Sequence, residues 1–387
     1  MRKTLFVTDG AFPPSSGSSI ILNNLASQFH PDNVVLAGEK SFGADLKAYT
    51  RPKYHVHRIN HKFTFDRQGS RYGIWTQLFK VEKELEVLVL GHNVRQVIAV
   101  FPNEFYCFAA ARVAKKMKLP FYCWFHNTFL DNRVGIFKLL AKKLQPYIFQ
   151  QSNVVFTMSE GMNNFMQQRY QEFRDKFKPL LHGFEVPNMP TEVDVFISGK
   201  IKFLLNGNIN ESNKDSTERL CKAVLSNKKN ELYVYTGTPL TTFKKMGVVG
   251  KNFYYNEFLP NFSDLVTKFK EFDVMLLPHG FVGGLSVAEY QTIFPTRTIP
   301  LLYSGKPILA HCPPKTSLSH FLETHQCAKL VTEKDVQTIE KAIDELCTDR
   351  KLREELVQNS FTVSKLFSAE NTYRELLKIT SGNIKFL

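Results

Sequence analysis

The sequence predicts an α/β protein of two Rossmann-like, doubly wound domains facing a cleft. Three observations point there. Short apolar runs alternate with helix-period segments through both halves of the chain. A break rich in proline, residues 179–190, separates the halves. One stretch, residues 273–310, reads as strand, glycine loop, helix and strand. That order presents free N–H groups and a helix dipole to an anion.

In the first half, Thr4–Val7 predicts a strand and Ile20–Phe29 a helix, with Ser18 or Ser19 as its N-cap. Residues 33–37 and 54–59 predict the next two strands, and 75–90 a long helix. Residues 97–100 predict a strand, 105–117 a helix and 121–125 a strand. A helix over 136–150 is expected to kink at Pro146. Residues 154–158 predict a strand and 161–171 a helix. The second half repeats the pattern. Strands are expected at 202–205, 232–236, 252–255, 274–277, 306–310 and 329–331. Helices are expected at 217–225, 262–269, 338–347 and 351–363. One more helix is expected from about Phe294–Arg297 to Ser304, with Gly305 taking the left-handed cap conformation. In such proteins the ligand sits at the C-terminal strand ends, here in the cleft between the halves.

At 387 residues, 43% hydrophobic and 22% charged, the chain suits two globular domains. No apolar run approaches the ~20 residues that span a bilayer. The start, MRKTLFVTDGAFPP, is too short in its apolar part for a signal peptide. The six cysteines lack metal spacing and read as reduced core residues of a cytoplasmic protein. A net charge of +14 favours an acidic partner. No nucleic-acid signature is present, so phosphorylated ligands and anionic lipid remain. Lys138 and Lys142 share a helical face with leucines. With Arg112, Lys115, Lys116 and Lys118 they predict a basic, apolar patch for an anionic membrane surface.

The segment FPTR…LYSGKPILA resembles the donor segment of glycosyltransferases with the two-domain B-type fold, family four in particular. Further segments follow in matching order. Phe12–Ser19, FPPSSGSS, resembles the family's first glycine loop, with Gly17 conserved in type and Ser18 in place of the second glycine. Trp124–Thr128, WFHNT, resembles the strand end whose histidine lies beside the transferred sugar, which implies a catalytic role for His126. VVFTMSEGM (154–162) and LLHGFE (180–185) resemble structural markers of the first domain. In the segment from Phe203 to Asp215 the family has an arginine and a lysine that grip the donor diphosphate. Asn208 occupies the arginine place and Lys214 the lysine place, and Arg297 is the candidate for the missing charge. The family also carries two glutamates at fixed spacing. Anchoring on SGKP places them at Thr292 and Pro300. Anchoring on Gly284-Leu285 places them at Phe281 and Glu289, as if a loop had been inserted.

The resemblance implies a hexosyltransferase, retaining and metal-independent, that uses a nucleotide sugar as donor substrate and no cofactor. Its acceptor is a glycan or lipid-linked sugar in surface polysaccharide or glycolipid synthesis, and its place is the cytoplasm or the inner membrane face. The implied donor-binding set is Gly17, Ser18, Asn208, Lys214, Gly283, Gly284, Leu285, Glu289, Thr296 and Arg297. The implied domains are 1–190 for the acceptor, 191–366 for the donor, and a helix, 367–387, that crosses back. Two alternatives accompany this reading: a non-catalytic binding protein and a sugar-nucleotide epimerase on the same fold.

Overall fold

The computed structural model describes residues 2–14, 16–40, 51–60, 74–185, 199–259 and 262–382. The chain forms two compact units. One comprises residues 1–185 and 369–387, the other residues 186–368. The expected boundary at residue 190 lies outside the described residues.

The first unit runs β1 (Thr4–Phe12), α1 (Gly17–Ser27), β2 (Val34–Lys40), β3 (His55–Arg58), α2 (Ile74–Gly91) and β4 (Gln96–Phe101). It continues with α3 (Glu104–Lys116), β5 (Phe121–Phe125), α4 (Gly135–Gln151), β6 (Val154–Thr157), α5 (Glu160–Arg169) and β7 (Phe177–Pro179). Its sheet has the order β3-β2-β1-β4-β5-β6-β7, all parallel. β4, β5 and β6 are buried along their whole length, because helices cover both faces of a parallel sheet. Trp124, Phe101, Phe125, Phe149 and Phe156 fill this core.

The second unit runs β8 (Ile201–Asn206), α6 (Lys214–Ser226), β9 (Asn230–Thr236), α7 (Leu240–Lys245), β10 (Phe253–Glu257), α8 (Phe262–Phe269) and β11 (Val274–Pro278). Then come α9 (Val287–Thr292), α10 (Thr298–Leu302), β12 (Ile308–His311), α11 (Ser317–His325), β13 (Lys329–Val331), α12 (Val336–Thr348) and α13 (Arg350–Ser364). The sheet order is β10-β9-β8-β11-β12-β13, again parallel. Phe203, Leu205, Leu220, Val234, Leu276 and Leu346 lie in its core. The order reverses at β8/β11, the switch point at whose C-terminal strand ends open α/β sheets place their ligand crevice. A last helix, α14 (Ala369–Gly382), belongs to the first unit. Its Thr372 hydroxyl donates to the Leu181 carbonyl at 2.9 Å, and the Ala369 N–H to that of Phe184 at 3.0 Å.

The doubly wound α/β class is as the alternation predicts. Three local readings change. The N-cap of α1 is Ser16, not Ser18 or Ser19: its hydroxyl accepts from Ser19 N–H, and Ser19 bonds back in a capping box. The single helix expected at 294–304 is a short α10 capped by Arg297, and a separate α9 precedes it. Pro295 sets a turn between the two, and Gly305 has φ +71°, which glycine adopts without steric cost. Helices α7 and α11 were not anticipated. All six cysteines are free, five of them buried.

Candidate functional site

The crevice of the second unit is lined by two loops, 207–213 after β8 and 279–286 after β11. They are tied together by hydrogen bonds. Gly280 N–H donates to the Ser212 carbonyl at 2.7 Å and Phe281 N–H to the Asp215 carboxylate at 3.1 Å. Gly284 N–H donates to Glu211 Oε2 at 3.0 Å, and the Tyr290 hydroxyl to the Glu211 carbonyl at 2.6 Å. Close approach explains the glycine at 283: a Cβ there would stand 2.2 Å from the Tyr290 hydroxyl and 2.5 Å from the Glu211 carbonyl oxygen.

Two cations flank this junction. Lys214 is exposed, opens α6 and makes no side-chain hydrogen bond or ion pair among the described residues. Arg297 is half-buried. Its Nη1 donates to the Asn206 carbonyl at 3.1 Å and its Nη2 to the Asn208 carbonyl at 2.5 Å. No carboxylate pairs with it among the described residues, and burial pushes its pKa down to about 10. Asn208 turns its Oδ1 away to accept from Gly237 N–H at 2.8 Å. The guanidinium therefore lies against the backbone of residues 206–208, and the α10 turn supplies the positive charge at the start of this loop.

Of the remaining sequence candidates, Gly283 and Gly284 are exposed, and Leu285 and Thr296 are half-buried in the loops before α9 and α10. The N–H of Gly284 is occupied by the Glu211 carboxylate, a residue the motifs did not single out. Glu289 sits in the first turn of α9, capped by Ser286, and is 1% exposed. Pro300 lies on α10. The two glutamate anchors thus fall on two different helices.

Behind the loops, Asp215 pairs with Arg219 at 2.8 Å, and Arg219 Nε donates to His311 Nε2 at 2.8 Å. The other nitrogen of His311 meets the Val331 carbonyl at 3.0 Å, so Nδ1 carries the proton. Burial holds His311 neutral, with a pKa lowered to about 4.

In the first unit, Gly17 and Ser18 are the first two residues of α1. His126 follows the C-terminal end of β5 and is 3% exposed. Its ring packs edge-on against Trp124, 4.5 Å between centroids, and lies 4.6 Å from the ring of His182. Burial, and then the neighbouring His182, hold its pKa well below the usual imidazole value.

The basic patch on α3 and α4 is only partly as the sequence reading has it. Arg112 is paired with Glu82 and Lys116 with Glu86, so two of those cations are neutralised by α2. Lys138, Lys142 and Lys143 on α4 stay exposed beside exposed Val134, Ile136 and Leu139. Trp75 and Phe79 on α2 are 58% and 59% exposed. No helix among the described residues is long and apolar enough to cross a membrane.

No family model matches the sequence, and neither does any curated protein. Solved structures match it along its length. The Anabaena protein Alr3699/HepE, crystallised in complex with UDP and glucose, superposes with a TM-score of 0.69 at 13% identity, covering 98% of this chain and 100% of that one. A glycosyltransferase from Rickettsia africae gives 0.70 at 13% identity over 100% of both chains. A protein described as a UDP-N-acetylglucosamine 2-epimerase from Listeria monocytogenes gives 0.61 at 11% identity over 100% and 98%. The chain therefore has the two-domain fold of B-type glycosyltransferases, which such epimerases share.

Proposed function

We propose that this chain is a glycosyltransferase that moves a hexose from a uridine diphosphate sugar to a glycan or lipid-linked acceptor, with retention and without a metal. The observation that carries the reading is Arg297: a half-buried guanidinium bonded, among the described residues, only to two backbone carbonyls, where the strand order reverses. A cation held this way lacks a counter-ion, and a diphosphate supplies one. Lys214 adds a second charge, and the N-terminus of α6 adds oriented N–H groups. Together they stabilise a leaving diphosphate without a metal bridge. Glu289 on α9 is the ribose contact in this reading, with Gly284, Leu285 and Thr296 along the donor. In the first unit His126 contacts the sugar, and Gly17 and Ser18 supply N–H groups at the start of α1.

The α4 face, with three exposed lysines beside exposed apolar side chains, supports attachment to an anionic membrane surface on its cytoplasmic side, where a lipid-linked acceptor is found. The free, buried cysteines fit a reducing compartment. The epimerase reading keeps support from the shared fold.

Incubation with a panel of nucleotide sugars tests the proposal. Release of nucleoside diphosphate together with free or transferred sugar supports it. Conversion of one sugar nucleotide into another without diphosphate release supports epimerisation instead. Binding without either product leaves a non-catalytic binding protein.

A further inference from the structure

His126 and His182 form a buried pair. They lie 3% and 2% exposed, beyond the C-terminal ends of β5 and β7 on either side of β6. None of their four ring nitrogens has a hydrogen-bond partner among the described residues. Buried polar atoms are rarely left so. Other buried histidines of the chain are tied: His279 Nε2 donates to the Tyr290 carbonyl at 2.8 Å, and His311 is bonded at both nitrogens. Those bonds fix a tautomer. Nothing fixes that of His126, whose ring neighbours are Trp124 and His182. Trp124 is already committed, its indole N–H donating to the Leu180 carbonyl at 3.2 Å.

The backbone that carries His182 is fastened on both sides. The carbonyls of Leu180, Leu181, Gly183 and Phe184 accept from Trp124, Thr372, Asn24 and Ala369 in turn. Two of those donors come from α14. With its backbone held, His182 keeps its side-chain torsions, of which the turn of the ring about Cβ–Cγ is the soft one.

We infer that His182 is the positioning residue of His126: a turn of its ring, 4.6 Å from that of His126, closes one N–H···N contact that sets which His126 nitrogen carries the proton and which meets the sugar. A neutral imidazole has one donor and one acceptor, so one such contact decides the role of the opposite nitrogen. Burial lowers the pKa of both rings, and that of His182 to about 3, which keeps the pair in this neutral form. The inference rests on the reading of His126 as a sugar contact, and it gives α14 a role in holding that contact in place.

His182→Phe keeps a ring of similar outline and removes both nitrogens. It is expected to lower kcat roughly 10- to 100-fold, the range typical of lost supporting partners, with donor KM and UDP affinity unchanged. The imidazole ¹⁵N resonances of His126 are expected to show one tautomer in the wild type and a shifted tautomer balance in the variant. Wild-type kcat with unchanged His126 resonances in His182→Phe overturns the inference and leaves the pair as aromatic packing. Equal loss of UDP binding and turnover overturns it too, by making His182 structural. If the wild type turns over no sugar nucleotide, the functional reading fails. The ¹⁵N comparison, which needs no turnover, then still decides the pairing.

Discussion

Arg297 reaches back to donate to the main-chain carbonyl of Asn208, so the side chain at the α10 turn and the residue near the start of the loop after β8 mark a single spot. The family resemblance implies a cation at position 208, where an amide stands. The structure brings a cation there from 89 residues away. Arg297→Lys tests whether the fork geometry matters. A lysine cannot bond both carbonyls and face a phosphate with the same planar group. UDP affinity, read by calorimetry, should fall at least about tenfold, in line with roughly 1.5–3 kcal/mol for a charge-assisted contact. Wild-type affinity in the lysine variant would show that only the charge is used.

Glu211 holds the N–H of Gly284, a donor the crevice would otherwise offer to an anion. The exposed carboxylate also places a negative charge at the loop proposed to meet the diphosphate. Glu211→Ala should tighten UDP binding by roughly 3- to 10-fold, about 1 kcal/mol for one freed N–H and one removed repulsion. Weaker binding would instead make Glu211 a brace that shapes the loop.

His126→Ala should cut turnover strongly while UDP binding stays near the wild-type value. The proposed diphosphate contacts, Lys214 and Arg297, lie in the second unit, whereas His126 belongs to the first. A contact made mainly in the transition state lowers kcat more than ground-state affinity. Comparing kcat for donor hydrolysis with the UDP dissociation constant separates the two. Full activity in the variant would remove His126 from the chemistry.

Acid should destabilise the fold through its buried histidines. His182 is lowered to about 3, and His279 and His311 to about 4, all chiefly by burial. Unfolded histidine titrates near 6.5, so below that pH the unfolded chain takes up protons first. The stability these groups contribute is complete above about pH 6.5. It is lost progressively down to about pH 4 for His279 and His311 and about pH 3 for His182. Each adds a slope of about 1.4 kcal/mol per pH unit. Urea midpoints measured between pH 7 and pH 5 should fall, and His182→Phe should make the decline shallower. An unchanged slope in that variant would show that His182 is charged or exposed in solution.

Much of the fold was legible because parallel, doubly covered strands leave continuous apolar runs, such as Val274–Leu277 and Phe121–Phe125. The region after β11 was read less well. Short helices such as α7, α9 and α10 carry only five or six residues, too few for a periodic signal. The N-cap of α1 was displaced because serine fills every position from 15 to 19 except 17, and only the capping-box geometry selects Ser16. Within the candidate site, Asn208, Lys214 and Gly284 were named from the family resemblance, and they lie on or beside the two loops after β8 and β11. Glu211 and Tyr290 were not, since their roles depend on two loops 73 residues apart meeting at Gly284 and Glu211. His182 was visible in LLHGFE, but its ring neighbour His126 lies two strands away, a relation that the strand order reveals.

The most direct test of the account is calorimetric titration of UDP into the wild type, Lys214→Ala and Arg297→Ala. The wild type is expected to show one saturable site per chain. Each variant should weaken it by at least about tenfold, at roughly 1.5–3 kcal/mol per lost contact, with unchanged circular dichroism. No saturable binding of UDP to the wild type, or equal affinity in all three proteins, would contradict the assignment of the second unit's crevice as the diphosphate site.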